Sequence, residues 1–195
     1  MNVKELTLNA MFMAIIITMA LVPNIGIITV GPISITLLHV PVIVAGIAFG
    51  MRSSLITSIT FGISTMVVAM MRSVTPIDVL FTNPILSVLP RFLFGLAIVL
   101  IWKLLRLLKT KPHASIALTA FFATIAHSIF VLVTLFFFLG FTGDLLSQLS
   151  QWWQLILIPV SLNIFVEALT AVLLAVPLVE VLWRIEPQAK ARMLN

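Results

Sequence analysis

The charged side chains of this sequence fall almost entirely between long apolar stretches, and that segregation decides what the chain can fold into. Only 9% of its 195 residues are charged and 62% are hydrophobic; the mean hydropathy is +1.26. No soluble domain of this size has such a composition, whereas a polytopic membrane protein does. Crossing about 30 Å of hydrocarbon at about 1.5 Å per residue takes about 20 residues. The chain therefore has length for about six spans and little else. This predicts an all-α integral membrane protein with six transmembrane helices, organised as a single domain over residues 1–195. The net charge of +5 does not indicate nucleic-acid binding, because the cations lie in the connectors between spans. With no cysteine, neither a disulfide framework nor a thiolate metal site is available.

The spans are predicted from about Leu6 to Leu21, Ile35 to Phe49, Ser53 to Met71, Ile85 to Leu105, Ala114 to Phe138 and Trp153 to Trp183. The first follows a weakly basic start and has no small-residue cleavage site, so it is expected to be a membrane helix rather than a cleaved signal. The last is too long for one perpendicular span and must tilt or break, with Pro159 and Pro177 as the places. A cytoplasmic N-terminus puts Lys4, Arg52, Lys103, Arg106, Lys109, Lys111, Arg184, Lys190 and Arg192 inside, nine of the eleven basic residues. That distribution obeys the positive-inside rule and predicts that both termini are cytoplasmic. Segments 23–34 and 72–84 then face outside. The first is apolar for a loop and is expected to fold over whatever cavity lies beneath it. Trp152 and Trp153 are expected at the outer interface and Trp102 and Trp183 at the inner one. Asp144 belongs to the polar connector before the last span.

Small and hydroxylated residues need a packing explanation before a functional one. Ser54, Ser58 and Gly62 recur every four residues and make a stripe on which another helix can pack closely. Thr57, Thr60, Ser64 and Thr65 are able to bond back to their own helix. Ala10 and Ala14 form a small-xxx-small pair that serves either internal packing or a partner helix.

The passage FTNPILSVLPRFLFG, residues 81–95, carries one arginine, Arg91, in otherwise uncharged sequence. A guanidinium at membrane depth persists where it faces a cavity, a partner or a ligand, or where it snorkels to the headgroups. On one straight helix Asn83, Ser87 and Arg91 share a face. Pro84 and Pro90 loosen that helix and free backbone groups. Glu167 is the second intramembrane charge, and Asn163 lies one turn before it. His39 opens the second span beside Pro41, and His127 sits with Thr124 and Ser128 inside the fifth. A lone histidine on an apolar helix is a packed residue as readily as a ligand contact. Together His39, Asn83, Ser87, Arg91, His127, Asn163 and Glu167 are the candidate solute-binding residues, and they imply a polar pocket near the outer leaflet.

The chemistry of an enzyme is not visible. There is no phosphate-binding Gly-x-x-x-x-Gly-Lys loop, no His-Glu-x-x-His pair and no Gly-x-Ser-x-Gly elbow. No cofactor, metal site or catalytic residue is expected. A stand-alone carrier with Glu167 and His127 as a proton relay is an alternative, though the chain is short and shows no clear inverted repeat.

Three passages resemble the substrate-binding S components of energy-coupling factor (ECF) vitamin transporters. ITLLHVPVIVAGIAFG, from Ile35 to Gly50, is similar to the Thr-x-x-His-hydrophobic-Pro opening of the second helix in pantothenate-type members. TPIDVLFTNPILSVLPRFLFG, from Thr75 to Gly95, is similar to a Pro-x-Asp…Asn-Pro…Ser-Val-Leu-Pro-Arg passage of the same group. Ala10 and Ala14 match the small-residue motif by which S components dock on the coupling subunit. The resemblance covers Leu6 to Leu105 well and the last two helices in layout only. It implies a six-helix subunit that captures a small water-soluble vitamin at the outer face. A coupling membrane subunit and two ATPase subunits would supply the energy. Arg91 and His39 would suit a carboxylate such as pantothenate, with Asn83, Asn163 and Glu167 taking hydroxyls and amides. If Glu167 neutralises Arg91 instead, pyridoxine or another uncharged vitamin fits as well.

Overall fold

The computed structural model describes residues 3–23, 25–30, 33–73, 76–141 and 149–194. The long helices are α1 (Val3–Leu21), α3 (Met51–Met71), α6 (Leu89–Leu107), α7 (Pro112–Phe141) and α8 (Leu149–Ile185). Each is long and apolar enough to cross a membrane. The sixth apolar helix, α2 (His39–Phe49), has 11 residues and so spans only about 16 Å. Every residue of α2 except Pro41 is buried. A helix apolar on all sides belongs in the centre of a bundle, and α2 packs against α1, α3, α6, α7 and α8.

The second span was expected to begin at Ile35. It begins at His39 because the preceding residues join a hairpin, β1 (Ile27–Val30) and β2 (Ile33–Thr36), with Ile27 opposite Thr36. This hairpin is the one strand pair among the described residues. It lies in the apolar segment expected to fold over the bundle, and β2 packs against α8.

A second departure falls on the helix that carries Arg91. Instead of one straight helix from Ile85, the chain forms α4 (Pro76–Leu80), α5 (Pro84–Ser87) and then α6. Asn83 caps α5, its side chain accepting from the Ile85 amide at 2.9 Å, with Pro84 in the first turn where its missing N–H is no loss. Pro90 has no N–H to give the carbonyl of Leu86, four residues back, so the helix is interrupted at Val88.

Close packing holds α3 to α5 and α6. A Cβ on Gly95 would come within 2.3 Å of Ser58 Oγ, and one on Gly62 within 2.9 Å of the Val88 Cα. Ser54 Oγ donates to the Gly95 carbonyl at 2.7 Å. The stripe of Ser54, Ser58 and Gly62 is thus the seam between these helices. Thr57, Thr60 and Thr65 bond back to carbonyls of their own helix. The α8 helix runs unbroken through Pro159 and Pro177 for 37 residues, about 55 Å. Asp144 lies outside the described residues, as do the side chains of Trp152 and Trp153.

Both termini lie at one end of the bundle. Lys4 pairs with Glu186 at 2.6 Å and Arg192 with Glu5 at 2.8 Å. The final helix, α9 (Pro187–Leu194), is tied under this end. Arg192 also donates to the Phe49 carbonyl at 3.3 Å, Trp102 Nε1 to the Met193 carbonyl at 3.2 Å, and Arg106 to the Leu194 carbonyl at 3.2 Å. The α6–α7 turn closes at the same end with Lys109 at φ 55°. Its amide reaches the Arg106 carbonyl and that of Thr110 reaches Leu105, which is the Schellman pattern with a lysine where glycine is usual. Trp102 and Trp183 do not face the headgroups as expected. Both are buried, packed edge to face at 5.9 Å, because α9 covers this end.

Candidate functional site

At the opposite end, Pro90 sets the position of the one buried arginine. The Leu86 carbonyl that Pro90 leaves unpaired accepts from the Arg91 guanidinium at 2.9 Å. The same guanidinium lies 5.4 Å from the Phe61 ring centroid and 5.2 Å from that of Phe81. Cation–π contacts in a desolvated site contribute up to about 2 kcal/mol, so the cation is held by its surroundings without a counter-ion. It is 7% exposed and its Nε has no hydrogen-bond partner. It does not snorkel.

Arg91 forms one wall of a cavity of about 260 Å³, with His127 and Ser128 of α7, Asn163 and Glu167 of α8, Phe61 and Thr65 of α3, and Thr36 at the end of β2. Four of the seven candidate residues therefore meet there. No ion pair joins Arg91 to Glu167 among the described residues. Glu167 instead accepts from the Thr36 backbone amide at 2.7 Å, and the Asn163 side chain faces its carboxyl. This bond links the hairpin to α8 at the mouth of the cavity.

His39 lies behind this lining. Its ring stacks on His127 with centroids 6.2 Å apart and 12° between planes. Phe94 backs the pair, 4.9 Å from His127. The His39 nitrogens make no well-formed hydrogen bond, though the Thr36 backbone faces the ring. Asn83 and Ser87 do not line the cavity. Asn83 caps α5, and Ser87 Oγ donates to the Phe81 carbonyl. Because the helix is interrupted after them, they do not share the Arg91 face as one straight helix would have them do. Both contacts shape the turn that carries Phe81 to the guanidinium.

Thr36, Phe61, Phe81 and Ser128 are not among the candidate residues, although the sequence places Ser128 beside His127. Thr36 lies 131 residues from Glu167, and nothing local pairs them. Phe61 and Phe81 are marked only by being aromatic on the segments that flank an intramembrane cation.

The cavity is short of partners for its polar atoms. Arg91 Nε, His127 Nε2 and Asn163 Oδ1 are buried and make no hydrogen bond. Buried polar atoms are nearly always paired, so a polar solute that donates to Asn163 and accepts from Arg91 would complete the site. Ala10 and Ala14 lie elsewhere, on the exposed side of α1 with Met11 and Ile15, while Phe12 and Ile16 face inward.

A search of curated proteins finds no match to the chain. The family model described as "ECF transporter, substrate-specific component" matches residues 4–179, nearly the whole chain and every element that builds the cavity. Five helices long and apolar enough to span a membrane, with a sixth shorter apolar helix, agree with such a role, and the chain belongs to the ECF transporter substrate-specific component family.

Proposed function

We propose that this subunit captures a small carboxylate bearing hydroxyl and amide groups, pantothenate being the vitamin of that description, in the cavity beside Arg91. The observation that carries the proposal is a buried guanidinium on the cavity wall with an unpaired Nε and no acidic partner among the described residues. A carboxylate supplies the missing charge and accepts the free N–H. Asn163 and Glu167 on the facing helix take the hydroxyl or amide end, and His127 closes the side. His39 supports His127 by stacking, and Asn83 and Ser87 act through the turn that positions Phe81 and Arg91. The cavity faces the outer side, and the hairpin covers it. Ala10 and Ala14 meet the ECF transmembrane subunit. That subunit and the ATPase subunits drive release inward, and the whole assembly stays in the lipid bilayer.

One observation favours a second reading. Glu167 lies on the same cavity as Arg91, and a site with one charge of each sign also suits a neutral vitamin such as pyridoxine. Mass spectrometry of the solute that co-purifies with the chain separates the two. A carboxylate is expected; an uncharged solute would favour the second reading, and a solute retained fully by Arg91→Ala would remove both.

A further inference from the structure

A second cavity is larger than the one described above. It lies at the end of the bundle that holds both termini, measures about 650 Å³, and is lined by the start of α1, the α2–α3 turn, the end of α6 and α9. Four cations border it, Arg52, Lys103, Arg106 and Arg192, against one acid, Glu5. Glu5 is already paired with Arg192. Among the described residues, Arg52, Lys103 and Arg106 have no acidic partner. Arg52 and Lys103 are exposed and make no ion pair with any described residue. Arg106 donates to the carbonyls of Thr110 and Leu194, and its Nε is buried without a partner.

The wall between these cations is apolar, with Phe49, Val99, Trp102, Leu107 and Met193. It continues into the bilayer. Leu107 is 78% exposed at the rim, and Leu104 and Leu100, at 57% and 60%, follow it along one stripe of α6 toward the membrane centre. A soluble anion would use the cations and leave this stripe idle. An anionic phospholipid uses both.

We propose that this cavity binds the phosphodiester headgroup of an anionic phospholipid of the cytoplasmic leaflet, with an acyl chain along Leu107, Leu104 and Leu100. Cations near an anionic membrane surface each contribute about fivefold to binding, and a basic recess between spans concentrates that effect. The site is separate from the solute cavity and does not depend on what solute binds there.

The test uses the full chain in neutral detergent micelles, with a fluorescent phosphatidylglycerol as probe and the matching phosphatidylcholine as control. Phosphatidylglycerol is expected to bind more tightly, by about a hundredfold for three cations. Arg52→Gln with Lys103→Gln should weaken it by about thirtyfold, leaving phosphatidylcholine and solute binding unchanged. Raising salt from about 50 to about 500 mM should erode the preference in the unaltered protein, because the Debye length shortens; this arm needs no variant to fold. Equal binding of the two lipids, or a preference indifferent to salt, would overturn the proposal. So would inorganic phosphate competing as well as the lipid, which would make the site one for a soluble anion. Loss of assembly with the coupling subunit and unchanged lipid binding in the double variant would make it a protein-docking surface and overturn it equally.

Discussion

The two ends of this bundle treat their acids in opposite ways. At the end with the termini, Glu186, Glu5 and Glu180 each pair with a base from an element distant in sequence, Lys4, Arg192 and His113, while Arg52 and Lys103 make no ion pair with a described residue. The paired groups are partly exposed and clamp α1, α7, α8 and α9 together. At the other end Arg91 and Glu167 are buried, line one cavity and do not pair. Each is held by backbone: the Leu86 carbonyl for the cation, the Thr36 amide for the carboxyl. Pairing within the protein uses a charge for structure. Holding it by backbone dipoles keeps it in place and leaves it free to meet a ligand. The difference separates the part that holds the bundle closed from the part proposed to recognise a solute.

That contrast breaks most readily at Arg91. A charge-assisted hydrogen bond in a desolvated site contributes about 1.5–3 kcal/mol, or about ten- to a hundredfold in affinity. Arg91→Ala should weaken solute binding by at least that much in calorimetry with the isolated subunit. Arg91→Lys should recover only part of it, since an ammonium lacks the planar fork that reaches both Leu86 and a ligand. Lys4→Ala, at the paired end, should leave affinity within about twofold and stability within about 1 kcal/mol. A comparable loss of solute binding from both substitutions would erase the distinction between the ends.

The seam beneath the cavity comes next. Gly95→Leu places a side chain where Ser58 already lies, and overpacking of this kind destabilises by about 1–3 kcal/mol. Thermal unfolding in detergent should drop, and solute binding should fall with it because α6 carries Arg91. Gly95→Leu with unaltered unfolding would mean that α3 and α6 do not pack on this seam. Replacing Ala10 and Ala14 together with Val should act differently. Both lie on the exposed side of α1, so solute binding should persist while assembly with the transmembrane subunit weakens. Loss of binding with assembly intact would return the pair to internal packing.

The smallest effect is expected at the α6–α7 turn. Lys109 occupies the left-handed region that favours glycine, so Lys109→Gly should stabilise by up to about 1 kcal/mol without touching either cavity. A lower unfolding temperature would contradict the turn geometry.

What could be read from residues alone followed chemistry that is conspicuous in an apolar setting. Arg91 and Glu167 stand out because charge is rare inside a span, and Asn163 because it lies one turn from Glu167. The seam of Ser54, Ser58 and Gly62 was equally legible from its spacing. Pro90 announced a freed carbonyl, but that Arg91 itself would bond to it requires the chain in three dimensions. The hairpin was hidden because Ile27 to Thr36 has the apolar character of the span that follows, and pairing between strands leaves no periodicity in so short a segment. The burial of Trp102 and Trp183 depends on α9 folding back, a tertiary event with no local signal. Thr36 and Glu167 meet only because the hairpin packs on α8.

If the protein leaves Arg91 unpaired in order to meet an acidic group of the solute, a thermodynamic cycle on the carboxylate it is proposed to bind will expose the coupling. Calorimetry on the purified chain would compare the carboxylate and its primary amide, each with the unaltered protein and with Arg91→Ala. Either change alone should weaken binding by about ten- to a hundredfold, and the second should add little once the first is made. Losses that simply add, or an Arg91→Ala protein that binds the carboxylate normally, would contradict this role of Arg91.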